Sequence, residues 1–138
     1  METDSFGQRA KKTTLKVVKR ILIFGSIIAI AILSFLYWGV FERGVMAGKV
    51  LRISEKGLMF KTFEGKLSLE SFGALKGVSP VAETFDFSVE SNDAETIQLL
   101  NEVALSGERV NLHFKKRFMT FAWRGDTKYF VTKVERSK

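Results

Sequence analysis

One membrane-spanning helix followed by a small, mainly β domain is the fold class this sequence predicts, and three observations predict it. Residues 21–41 read ILIFGSIIAIAILSFLYWGVF, an apolar run without a charge. Beyond it apolar and polar residues alternate, the period of strands with one buried face. A single stretch, between positions 92 and 107, returns to a helical period.

The apolar run comes first. At about 1.5 Å per residue it covers roughly 30 Å, the hydrocarbon thickness of a bilayer. A domain this small could not enclose a helix that is apolar on every face. Residues 1–20 form a basic tail in which Arg9, Lys11, Lys12, Lys16, Lys19 and Arg20 face only Glu2 and Asp4. Most of the net charge of +7 is thus a topology signal, and it predicts a cytoplasmic N-terminus. Lys19 and Arg20 are expected to anchor one membrane boundary, and Tyr37 and Trp38 the other. The expected location is a bacterial cytoplasmic (inner) membrane, with residues 42–138 periplasmic or extracellular. Val45-Met46-Ala47 resembles a signal cleavage site, but the run exceeds the usual signal core of about 7–15 residues, so an uncleaved signal-anchor is expected. Gly25 and Ala29 have small-xxx-small spacing, although nothing in the sequence sets an oligomeric state.

Five strands and one helix follow. Segments 45–54 and 58–69 flank Glu55-Lys56-Gly57 and predict a long hairpin, with a bulge or bend at Gly65. A loop over 70–83, containing Gly73, Gly77 and Pro80, leads to a third strand in which Phe85, Phe87 and Val89 share the inner face. Asn92 or Asp93 caps a helix carrying Ile97, Leu100 and Ala104 on one face, widened by Leu99 and Val103, and Gly107 ends it. The fourth strand turns Val110, Leu112 and Phe114 inward, and Asn111, His113 and Lys115 outward. A fifth spans 128–135, with Tyr129 and Val131 on one face and Phe130, Thr132 and Val134 on the other. This order resembles the OB-fold, a five-stranded, partly open barrel with one helix between its third and fourth strands. A small α+β sandwich with an unclosed sheet is the alternative.

Three stretches, Glu42-Arg43-Gly44-Val45-Met46-Ala47-Gly48, Lys56-Gly57-Leu58-Met59-Phe60-Lys61-Thr62-Phe63-Glu64-Gly65 and Trp123-Arg124-Gly125-Asp126-Thr127-Lys128-Tyr129-Phe130-Val131-Thr132, are similar to a group of small, uncharacterised single-pass membrane proteins of bacteria. The likeness covers the anchor and nearly the whole outer domain, and it implies no catalytic residues. Such proteins are sometimes labelled 6-phosphogluconate dehydrogenases. The residues here contradict that label, since no G-x-G-x-x-G follows a strand and the chain is too short for a dinucleotide domain plus a substrate domain.

Chemistry-bearing residues are sparse. With no Cys, thiolate nucleophiles and Cys-based metal sites are excluded. His113 is the single imidazole and lacks a positioned partner or further ligands, while Asp86 and Glu90 read as two solvated carboxylates on one strand. No cofactor or metal is expected, and the domain reads as non-enzymatic. Arg124-Gly125-Asp126 matches a tripeptide read by cell-surface receptors but is more simply a turn, with Trp123 and Tyr129 pinning its base.

The segment between the fourth and fifth strands interleaves basic and aromatic residues: Lys115, Lys116, Arg117, Phe118, Phe121, Trp123 and Arg124. As a binding loop it would stack its rings on a ligand and aim its cations at phosphates or other anions. As a structural loop its aromatics would complete the core. The leading expectation is an accessory module that binds another membrane or envelope protein beside its lipid bilayer. The alternative is a polyanion, whether nucleic acid, acidic glycan or anionic lipid headgroups, held by this loop.

Overall fold

A computed structural model of the chain describes residues 3–69 and 83–137. The expected loop ahead of the third strand lies, except for Glu83, outside the described residues. Two compact units divide at Trp38 and Gly39.

The first unit is one helix, α1 (Thr3–Trp38). It includes most of the basic tail, because Gln, Ala, Lys, Leu and Arg are good helix formers and no Pro interrupts them. Within it Lys11–Trp38 has mean hydropathy 2.4, so one helix near the N-terminus is long and apolar enough to cross a membrane. The hydroxyl of Ser26 is satisfied internally, donating to the carbonyl of Leu22 at 2.8 Å. The apolar run does not stay helical to residue 41: after Gly39 the strand formers Val40 and Phe41 already belong to β1.

The second unit holds β1 (Val40–Lys56), β2 (Thr62–Leu69), β3 (Glu83–Val89), α2 (Ala94–Ser106), β4 (Arg109–Arg117) and β5 (Tyr129–Arg136). The strands close a barrel in the order β1-β2-β3-β5-β4, all pairs antiparallel except β3–β5. The sheet is therefore mixed and closed rather than open. Its parallel seam consists of two residue pairs, Ser88 with Phe130 and Val89 with Val131.

β1 is long because it serves two neighbours. Residues from Val40 to Lys49 pair with β4, those from Lys49 to Lys56 pair with β2, and an irregularity between Val50 and Arg52 turns it from one to the other. No bulge interrupts β2 at Gly65, since pairing runs unbroken through it on both sides. A Cβ there would lie 2.2 Å from Cζ of Phe87, so this glycine makes room for a core ring.

Val50, Leu67, Phe87, Val89, Val110, Leu112, Val131 and Val134 fill the barrel, and Ile97, Leu100 and Val103 of α2 seal it. The Asp93 carboxylate accepts from the Thr96 amide at 3.2 Å to start α2, and Gly107, at φ 69°, ends it with its amide on the Val103 carbonyl. β5 departs from strict alternation. Phe114 pairs with Val131 but His113 with Lys133, so Thr132 is an extra residue. Val131 and Val134 therefore both face the core, contrary to the simple period-two expectation.

Candidate interaction site

The segment after β4 folds back over the outer face of the barrel and is fastened there by a buried polar cluster. Glu64 on β2 and Ser88 on β3, respectively 6% and 0% exposed, begin it. The Ser88 hydroxyl donates to Oε2 of Glu64 at 2.6 Å, and Oε1 of the same carboxylate accepts from the Asp126 amide at 2.9 Å. The amide of Thr127 donates to Ser88 Oγ at 3.1 Å. Ser88 lies on the face expected to be polar and solvated, and the loop covers it.

Beside this cluster Glu90 holds two guanidinium groups. Arg124 Nε lies 2.8 Å from Oε1 and 3.1 Å from Oε2, and Arg117 Nη2 lies 3.1 Å from Oε1. Both guanidinium carbons sit 5.6 Å from the centre of the Phe130 ring. Only 6% of Arg117 and 9% of Arg124 is exposed. These two cations of the expected binding loop are thus turned into the structure and share one carboxylate. The Arg-Gly-Asp tripeptide closes a turn in which the Arg124 and Gly125 amides donate to the Phe121 carbonyl, with Arg124 buried and the Asp126 carboxylate 3.4 Å from Lys56 Nζ.

The other expected loop residues divide between surface and support. Phe121 and Trp123 pack at a tilt of 34° with ring centres 4.9 Å apart, and Trp123 stays half exposed. Phe118 meets Phe41 edge-on at 5.6 Å. Lys116 lies over the rings of Phe41 and Tyr129 and 3.8 Å from Glu42; contact with the Tyr129 hydroxyl, and then Glu42, raises its pKa. Lys115 is lowered, by burial first and then by Arg117, with Arg43 and Arg124 adding to the effect and Glu90 opposing it. Of the expected boundary residues, Lys19 and Arg20 stand on α1 ahead of its apolar run, and Tyr37 and Trp38 end it with ring centres 5.0 Å apart.

His113 has one acidic neighbour, Glu135, whose Oε2 is 3.1 Å from Nε2. Lys133 and His113 hold that carboxyl below the ordinary carboxylate range. Asp86 is 3.4 Å from Lys66, while Glu90, part-buried, is paired with the arginines.

One surface escaped the sequence reading. The turn between β1 and β2 exposes Leu58, Met59 and Phe60, at 102%, 87% and 59%. Gly57 sets its course at φ 109°, where a Cβ would fall 1.9 Å from the Phe60 carbonyl oxygen. Its base is held by Lys61–Glu55 at 2.9 Å and by the Ser91 hydroxyl donating to the Lys61 carbonyl at 2.8 Å. The signal available was three large apolar residues in succession after a turn glycine, which alternation does not require.

No family model, curated protein or solved structure matches this chain.

Proposed function

We propose that the protein is a membrane-anchored, non-enzymatic interaction module of the bacterial envelope, whose β1–β2 tip docks into an apolar cleft of another envelope protein. In this reading α1 crosses the cytoplasmic membrane with its basic end inside, and the barrel, of OB type by its strand order, stands on the outer side. The observation that carries it is the tip: Leu58, Met59 and Phe60 stay in water although burying each would contribute about 1.5–3 kcal/mol. Its braced base limits the ordering cost of docking. The tip and Val40, where the chain enters the barrel, stand at opposite ends of β1 in sequence. Confinement to a membrane raises effective concentration, so a small apolar contact suffices.

The anionic-ligand reading of the 115–124 segment loses its two best cations to Glu90. The test is photo-crosslinking from position 58 or 59 of the full chain in intact membranes. A discrete adduct with one protein supports the proposal, and a chain that gives only lipid adducts or none rules it out.

A further inference from the structure

Arg43 and Lys115 stand directly opposite each other in the β1–β4 register. Both line a cavity of about 210 Å³, together with Phe114 and Thr132. Like charges in this position repel, because the pairing holds their Cβ atoms about 5 Å apart. The acids nearby are engaged elsewhere, Glu42 with Lys116 and Glu90 with Arg117 and Arg124. The Thr132 hydroxyl at the rim is turned to the His113 carbonyl, leaving the two cations as the donors. The Lys115 pKa is lowered by burial first and then by Arg117, with Arg43 a smaller contributor in the same direction. A planar guanidinium fork beside an ammonium point charge suits a phosphate group, which would relieve the repulsion that the strands enforce.

Chain connectivity points to the source of that phosphate. Arg43 is five residues beyond Trp38, the last residue of α1, at most about 17 Å of extended backbone. Phe41 on the same stretch of β1 packs against Phe118, just past the end of β4, and both stay exposed with Met119 beside Phe118 in sequence, as is usual at a boundary between tails and headgroups. We propose that Arg43 and Lys115 form a phosphate site that takes the headgroup of an anionic membrane lipid. This rests on the reading of α1 as a membrane anchor and is independent of the partner at the tip.

The full chain, held in zwitterionic detergent micelles, is titrated separately with short-chain phosphatidylglycerol, short-chain phosphatidylcholine and inorganic phosphate while backbone amide resonances are followed. Phosphatidylglycerol is expected to shift the amides of Arg43, Gly44, Lys115 and Lys116 saturably, with phosphatidylcholine far weaker and inorganic phosphate weaker at the same residues. Arg43→Ala and Lys115→Ala should each weaken the interaction about five-fold, the value of one basic residue near an anionic surface. Lys115→Glu, which gives Arg43 a cross-strand partner, should abolish it and raise the melting temperature. Equal response to both lipids, phosphate binding without phosphatidylglycerol binding, or variants that bind as the wild type would overturn the site. Carbonate washing of the full chain in vesicles separates the two readings. A chain that stays with the vesicles yet shows no lipid preference refutes the site alone, whereas one that is stripped refutes the anchor and the site together.

Discussion

The hydroxyl of Ser88 donates to the carboxylate of Glu64 across the β2–β3 pair at 2.6 Å, and neither side chain reaches solvent to a useful extent. Two strands thereby present ready-made acceptors to the amides of Asp126 and Thr127, and the loop becomes part of the wall. Ser88→Ala leaves Glu64 and the Thr127 amide short of a partner. A loss of about 1–3 kcal/mol is expected in urea unfolding of the full chain in detergent, with enhanced protease cleavage between 118 and 128.

Removing Glu90 should be costlier. Glu90→Ala would strand two buried guanidinium groups on one ring, and a destabilisation of about 3 kcal/mol is expected in the same unfolding experiment. Little change on that substitution would contradict the assignment of Arg117 and Arg124 as structural cations.

The tip should behave in the opposite way. Replacing Leu58, Met59 and Phe60 together by Ser removes no buried contact, so stability should move by no more than about 0.5 kcal/mol per residue while the crosslinked adduct disappears. A variant that unfolds would show the tip to be part of the core.

Gly65→Ala sets a methyl group against the Phe87 ring. The expected cost is about 1–3 kcal/mol, since Phe87 has no exposed side to move towards. Near-wild-type unfolding would mean that the ring can shift.

Lys115 provides the pH test. Its pKa is lowered in the folded chain, so folding binds fewer protons there than the unfolded chain does. Its unfavourable contribution is full below the lowered value and is relieved as pH rises from there towards the ordinary 10.5. Lys115→Met should therefore raise the melting temperature at neutral pH, and the gain should shrink as pH approaches that ordinary value.

The sequence was most legible where its determinants are local. Phe87 and Val89 on β3, Val110 and Leu112 on β4, and the Asp93 and Gly107 ends of α2 follow from period and capping alone. The extra residue Thr132 was not legible, because a bulge is set by how β5 must meet β4 rather than by its own alternation. The loop misled for a related reason. Lys116 and Arg117 look like an anion-binding strip until Glu90, 27 residues before Arg117 and 34 before Arg124, is brought beside the arginines by closure of the barrel.

The two-pair seam between β3 and β5 gives that closure its character. Backbone pairing alone makes the barrel a clasp, fastened at Ser88 and Val89 and free to spring wherever the ladder is missing. Ser88 at the fastening point and Glu90 just beyond it grip Thr127, Arg117 and Arg124 and lay a polar bolt across it. Without that bolt, closure of the barrel would rest on two residue pairs and on the packing of Val89 and Val131, which belong to the core themselves.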